Sequence, residues 1–220
     1  CWKMYVGRPE EDRTRCDAIT QLGNGLSAAD HHEAALSVQE AELAMERRLG
    51  ASEHSLLIAQ GNLSSTYANM GRLEQAAQMD RDIYSGWLKL GGEEHEQTLV
   101  AALNYASSLV QLQRYQEVKS VLRKTMPVAR RVLGESHDIT LKMRLIYAKA
   151  LYTDAGATLD NLREAVTTLE DLAQTAQRVL GGAHPVTGRI EDDLRKARAV
   201  RDAREDFETF SGDVNAIREA

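Results

Sequence analysis

The sequence predicts an all-α protein, a right-handed superhelix of about four helix hairpins closed by a C-terminal capping helix. Three observations predict it. Ala, Leu, Glu, Arg and Gln, all good helix formers, dominate a 220-residue chain with only three prolines and 5% aromatic residues. The segments LGASEH, LGGEEH, LGESH and LGGAH place His54, His95, His137 and His184 at spacings of 41, 42 and 47 residues, which is a repeat period. Between these landmarks apolar residues recur every three and four positions, as at Leu99, Leu103, Ala106 and Val110, so each stretch has one helix face to bury.

The elements follow in order. The first unit is DAITQLGNGLSAADHHEAALSVQEAELAMERRLG (Asp17–Gly50). Its opening helix is expected to reach back to Pro9, because proline in the first turn followed by Glu10, Glu11 and Asp12 suits a helix N-terminus. The second unit pairs SLLIAQGNLSSTYANMG with RLEQAAQMDRDIYSGWLKLG, and the third pairs EQTLVAALNYASSLVQLQ with RYQEVKSVLRKTMPVARRVLG. Pro127 falls deep in that last stretch, where it removes a hydrogen bond and crowds the preceding turn, so a kink is expected. The fourth unit joins DITLKMRLIYAKALYTDAG to NLREAVTTLEDLAQTAQRVLG, and its extra residues, DAGATLDN (Asp154–Asn161), predict a longer loop. PVTGRIEDDLRKARAVRDAREDF stands alone with a thin apolar stripe of Ile190, Leu194, Ala197 and Val200, as a cap on the last open face requires. The expected divisions are a lead-in at 1–16, a helical repeat domain at 17–209 and a C-terminal tail at 210–220. Leu22, Leu63, Tyr67, Ala76, Tyr105, Tyr115 and Leu151 are the expected core, with Gly23, Ser64, Ala106 and Ala148 sharing a small-residue position where helices approach closely.

Composition narrows the function. A net charge of −6 argues against nucleic acid as a partner, since gripping phosphates needs a concentrated basic face. No run of about 18 apolar residues occurs, so direct membrane insertion is not expected. Cys1 and Cys16 cannot build a disulfide framework or a zinc site by themselves and read as free thiols of a cytoplasmic protein. The start, CWKMYVGRPEEDRTRC, resembles no signal peptide and is expected to be a fragment boundary with more protein upstream.

The cluster in VLGESHDITL has the residue types of a reactive site, but its recurrence says otherwise. Four histidines about one repeat apart cannot converge on one metal or substrate. Each lies where a helix begins, and in GGAHP the following Pro185 suits a first helical position, so the histidines, with Ser136 and Asp138, are expected to cap helices. The adjacent pair His31 and His32 does not share a helix face, and LGNG (Leu22–Gly25) lacks the preceding strand and following Lys-Ser or Lys-Thr of a phosphate loop. No nucleophile, base and orienting group converge. The expected protein is not an enzyme, with no catalytic residues, no bound metal and no cofactor.

In its repeats the chain resembles tetratricopeptide repeats (TPR) of the kinesin light chain type. NLSSTYANMGRLEQA (Asn62–Ala76) and NYASSLVQLQRYQEV (Asn104–Val118) carry the pattern in order, and the fourth unit carries it through IYAKALY and LREAV. The first unit keeps HHEAA and has Gln21-Leu22 where the pattern has Asn-Leu. The resemblance covers residues from about 17 to 200. It implies a TPR solenoid whose first helices line a concave groove for a peptide segment of a protein partner. Carried over residue by residue, it places in that groove Gln21 and Asn24, then Asn62, Ser65 and Asn69, then Asn104, Ser107 and Gln111. In the fourth unit it selects Lys142, Ile146, Lys149 and Thr153, and on the last helix Arg189 and Lys196. Amides both donate and accept, so they suit an extended backbone, and the cations suit an acidic or carboxylate-bearing partner. Ile146 and Gln21, in place of the pattern's asparagine, set this groove apart from its relatives. The implied role is a non-catalytic scaffold or adaptor. Two alternatives are a partner-binding arm of a RING-variant-type ubiquitin ligase with its zinc domain upstream, which some similar arrays resemble, and a structural subunit of a large assembly.

Overall fold

The computed structural model describes Gly7, Pro9 and residues 13–219, with side chains from 14 to 211. Cys1 and the proposed helix start at Glu10–Asp12 lie outside the described residues. The chain divides into two compact units, Cys1–Leu112 and Gln113–Ala220.

The first unit holds α1 (Arg13–Ala28), α2 (His32–Arg48), α3 (Glu53–Asn69), α4 (Leu73–Gly91) and α5 (Glu96–Gln111), each packed on the next. The second holds α6 (Tyr115–Leu133), α7 (Asp138–Thr153), α8 (Leu159–Leu180) and α9 (Pro185–Glu219), packed in the same serial manner. All elements among the described residues are α-helices. Turns inside the first three repeats share one geometry, in which Asp30, Gly71 and Gln113 take the left-handed conformation at φ 59°, 74° and 57°. The joints between repeats use glycine for the same purpose, at Gly50, Gly92, Gly134 and Gly181, where an L side chain would be strained.

The joint histidines start helices, as their position predicts. His95 and His137 are the N-cap residues of α5 and α7, and their Nδ1 atoms accept from the amides of Gln97 at 3.2 Å and Ile139 at 3.3 Å. His184 does the same for Val186 at 3.2 Å. His54 differs. Ser52 caps α3 by accepting from the Ser55 amide, while the His54 ring packs edge-on against Trp87 with centroids 5.0 Å apart. Trp87, 3% exposed, is also stacked by His95, with centroids 5.7 Å apart.

Packing between helices turns on one recurring position. Gly23, Ser64, Ala106 and Ala148 are all buried. A Cβ on Gly23 would come within 2.9 Å of Gln39 Cγ, so glycine fits there without displacing its neighbour. Counting through the repeats, the matching second-helix residues are Gln39, Asp80, Leu122 and then Leu169. The first helices that follow contribute Thr66, Ser108, Ala150 and Ala197. The first unit fills these places with polar groups. Thr66 Oγ1 donates to Gln39 Oε1 at 2.7 Å, and Ser64 and Ser108 donate to the two Asp80 oxygens at 2.6 Å and 2.5 Å. The second unit fills them with Leu122, Ala148, Ala150, Leu169 and Ala197, all 0% exposed. Each such leucine contributes about 1.5–3 kcal/mol of hydrophobic stabilisation.

Several expectations are adjusted by the structure. Leu63, Ala76, Tyr105 and Leu151 are buried, whereas Leu22, Tyr67 and Tyr115 are half-buried. Leu22 lines an open cleft of about 410 Å³ beside Ile19, Val38 and Met45. α6 is helical on both sides of Pro127, the position of the expected kink, and Pro127 is exposed. The inserted loop is shorter than the inserted sequence, since Thr158 caps α8 by accepting from the Asn161 amide and the helix resumes at Leu159. Asp154 anchors it, accepting from Lys119 Nζ at 2.9 Å, Gln116 Nε2 at 2.8 Å and the Gly156 amide at 3.0 Å. α9 is a single 35-residue helix that continues through the segment set apart as a tail.

Candidate functional site

The first helix of each repeat carries a stripe in a fixed register, at positions spaced by four, three and four residues. This spacing keeps the side chains on one helix face. On α3 the stripe is Ile58, Asn62, Ser65 and Asn69, and on α5 it is Val100, Asn104, Ser107 and Gln111. The residues next to them, Leu63, Ser64 and Thr66 on α3 and Leu103, Tyr105, Ala106 and Ser108 on α5, are buried. Burial of one face therefore turns the amides outward.

In the first unit the stripe is neutral. Ser65 and Ser107 hydroxyls donate back to the carbonyls of Gly61 and Leu103, four residues earlier, at 3.1 Å and 2.9 Å. Asn69 Nδ2 reaches Ser27 Oγ at 3.5 Å. Asn62, half-buried, and Asn104 and Gln111, exposed, make no side-chain hydrogen bond with any described residue, so their donors and acceptors are open to a ligand. On α1, Gln21 is exposed in the same register. Asn24 leans towards α2, its Oδ1 accepting from Gln39 at 3.5 Å, which leaves it half-buried.

In the second unit the same register is charged. Lys142, Ile146, Lys149 and Thr153 form the stripe on α7, and Arg189, Asp193, Lys196 and Val200 form it on α9. Two of the four predicted cations already have carboxylates beside them. Lys142 pairs with Asp138 one turn earlier at 2.6 Å, and Lys196 lies 3.7 Å from Asp193. Asp193 also accepts from Tyr152 at 2.8 Å, and burial together with that carboxylate raises the Tyr152 hydroxyl well above its ordinary range. Lys149 and Arg189 have no ion-pair partner among the described residues and remain exposed. The basic character of this unit's stripe therefore rests on those two.

Sequence reasoning missed Ile58, which is 44% exposed at the head of the α3 stripe. The signal was present, because Ile58 is the counterpart of Lys142 and Arg189, both of which were selected. It also missed Asp193, which shares the face of Arg189 and Lys196. No helix among the described residues is long and apolar enough to cross a membrane.

Residues 55–131 match the tetratricopeptide repeat model. No curated protein matches the chain in sequence. Among solved structures, a kinesin light chain-like protein of Podosopora anserina with nearly identical TPR-like repeats superposes with a TM-score of 0.73 at 20% identity, covering 94% of this chain and 97% of that one. A variant of that protein with a single substitution gives the same score and identity over 93% and 94% of the two chains. BtubC (BKLC) from P. vanneervenii gives 0.63 at 17% identity over 96% and 88%. At such identities the likeness is one of fold. The chain carries a tetratricopeptide repeat match across its centre, and its all-α fold is that of the TPR-like repeats of kinesin light chain-like proteins.

Proposed function

We propose that the protein is a non-catalytic interaction scaffold that binds an extended peptide segment of a partner along the stripes of its first helices. The TPR-like fold supports a protein-interaction role. The observation that carries the finer reading is the pair Asn62 and Asn104, one repeat apart in the same register and without internal partners. A carboxamide presents a donor and an acceptor together, which matches the alternating amides and carbonyls of an extended backbone. Ser65, Asn69, Ser107 and Gln111 extend this polar track, and Ile58 offers an apolar contact at its head. In the second unit Lys149 and Arg189, with Lys142 and Lys196 beside their carboxylates, favour an acidic side chain or a terminal carboxylate. The four histidines take no part, since each is committed to a helix start or to Trp87.

A library of extended peptides, scored against the wild-type chain and Asn62→Ala/Asn104→Ala, tests this. Selected peptides should bind the double variant about 10- to 100-fold more weakly, the range for losing two hydrogen-bonding anchors. Equal binding by both proteins removes the stripe from the site. Lys149→Ala/Arg189→Ala should weaken binding selectively for acidic peptides, with a steeper loss at low salt.

A further inference from the structure

A groove opens on the other side of α3 from its stripe. At about 100° per residue, Gln60 and Tyr67 lie roughly 140–160° around the helix from Asn62. With Met79 of α4 they floor a groove of about 530 Å³ between α2 and α4. Arg47 lines it from α2, and Glu74, Gln78 and Asp82 line it from α4.

The second unit shows what can fill this place. In the register that aligns Asn62 with Ile146, Gln60 matches Arg144 and Leu63 matches Tyr147. Counting from Gln39 and Leu122, Glu40 matches Arg123. Counting from Asp80 and Leu169, Gln75 matches Glu164 and Asp82 matches Asp171. Two guanidinium groups close the second unit's version. Arg144, buried, reaches from α7 to Asp171 on α8 and to Glu135 at 3.4 Å. Arg123 donates from α6 to the Tyr147 hydroxyl at 3.0 Å, and that hydroxyl donates to Glu164 at 2.8 Å. The first unit has neither cation. Its floor carries the shorter, neutral Gln60, and Glu40 stands where Arg123 would, accepting from the Tyr67 hydroxyl at 3.3 Å.

The anionic half of the arrangement is kept. Asp82 retains the carboxylate of Asp171, its two oxygens accepting from Gln78 Nε2 at 3.1 Å and 3.0 Å, with neighbouring Arg81 3.7 Å away. Glu74 makes no hydrogen bond or ion pair with any described residue. Arg47 lines the groove without pairing to a described carboxylate, and Arg72 is committed to Glu33 at 3.6 Å and to the Tyr67 ring.

We propose that this groove receives an arginine side chain of a partner protein, in the place that Arg144 takes in the second unit. Glu74 and Asp82, with Glu40 at the edge, outnumber the one cation that lines it. Each Asp82 oxygen keeps a lone pair beside its Gln78 bond, so a planar guanidinium fork can bond both. The alkyl stem of such an arginine covers Met79 and the Tyr67 ring. A lysine brings the charge without the fork and is the weaker occupant. None of the stripe residues takes part, so this site stands or falls independently of peptide binding along the stripes.

Titration of the isotopically labelled full chain with N-acetylarginine amide, followed by amide NMR shifts, tests the seat. The expected result is saturable shifts at Gln60, Gln78 and Asp82 with a Kd of about 0.1–10 mM, the range for so small a ligand. N-acetylcitrulline amide, which keeps the shape and lacks the charge, should bind at least about 10-fold more weakly. Asp82→Asn should weaken arginine binding about 10-fold, the scale of losing one charged hydrogen-bond partner. Gln60→Arg supplies the second unit's own guanidinium from the floor and should abolish binding with unchanged circular dichroism. Asn62→Ala/Asn104→Ala should leave the titration unmoved. Absence of saturable shifts up to about 50 mM, equal binding of the citrulline probe, or indifference to either Asp82→Asn or Gln60→Arg overturns the proposal.

Discussion

Replacing Ser64, Asp80 and Ser108 together by Ala, Leu and Ala converts the polar junction of the first unit into the one that Ala148, Leu169 and Ala197 build in the second. Asp80 is 7% exposed, and its two carboxylate oxygens are each held by a serine hydroxyl. Hydrogen bonds to a charged group are worth about 1.5–3 kcal/mol apiece, but taking the carboxylate out of water costs several kcal/mol. Leucine in its place adds about 1.5–3 kcal/mol of apolar burial, and the lost hydroxyls offset its larger volume. The triple variant should therefore be more stable at neutral pH, by about 1–3 kcal/mol, the range seen when buried polar groups yield to well-packed apolar ones. Trp87, buried in the same unit, reports the unfolding in urea once Trp2 is replaced by Phe, and the midpoint should rise by about 0.5–1 M. A lower midpoint would show that the serine–carboxylate set is a net stabiliser and that the desolvation reasoning is wrong.

The single change Asp80→Asn adds a check on sign. Burial raises the Asp80 carboxyl above its ordinary value of 3.8, against the lowering effect of Ser108 and Ser64. The folded chain thus holds this proton more tightly than the unfolded chain. The group's contribution to stability is full below the ordinary value and is lost as pH rises through the raised one. Asn does not titrate, so its advantage over the wild type should grow from about pH 4 to pH 7. An advantage that shrinks over that interval refutes the assignment.

Three further predictions concern other positions. Gly61→Ala should raise the melting temperature, since nothing lies within 4 Å of the added methyl and the helix gains about 0.5–1 kcal/mol. Gly86→Ala should lower it, because its Cβ would stand 2.6 Å from buried Leu57 Cδ2 and overpacking costs about 1–3 kcal/mol. Asp154→Ala should destabilise the second unit by about 3 kcal/mol by leaving the buried Lys119 ammonium unpaired, and adding Lys119→Met should recover much of that loss. The Lys119 hydrogen bond holds the Asp154 carboxyl below its usual range, so this pair's contribution is present above the ordinary value and lost as pH falls through the lowered one. Far-UV circular dichroism during acid titration of the wild type and the double variant reads it.

Much of this architecture was legible because each repeat copies the same local physics. Leu-Gly-x-x-His marks a helix end, a left-handed glycine and a helix start, so the joints could be placed from residue type alone. The small-residue position was legible for the same reason, since Gly23, Ser64, Ala106 and Ala148 align and only small side chains let two helices close. What stayed hidden depends on pairings across helices. Asp80 has the composition of a surface carboxylate, and nothing near it in sequence announces Ser108, 28 residues later. Arg144 likewise looks like a solvated charge, yet it is buried and ion-paired to Asp171 and Glu135. Trp87 between His54 and His95 combines one residue of a helix end with histidines from the two flanking joints. The stripe was legible in register and incomplete in content, because a pattern borrowed from asparagine positions passes over an exposed isoleucine such as Ile58.

The buried junctions and the outward stripes are two readings of one helix rotation. Asn62 precedes Leu63 and Ser64, so turning α3 by one residue, about 100°, would bury the amide and expose the core. What forbids that turn is the contact at the small-residue position. At Gly23 a methyl group would collide with Gln39, and at Ser64 the hydroxyl donates to Asp80 at 2.6 Å. In an array of near-copies, apolar contacts alone tolerate a slip of register, since one leucine resembles the next. A carboxylate that needs a serine on each side does not tolerate it. The polar junctions lie in the unit whose stripe is neutral and carries amides, where the proposed recognition would depend on amide orientation rather than on long-range charge. The charged stripe of the second unit acts over a Debye length of about 8–10 Å and sits on helices packed by leucine and alanine. On the proposed function, the stability sacrificed in burying Asp80 falls in the unit where the angular precision of the stripe would matter most.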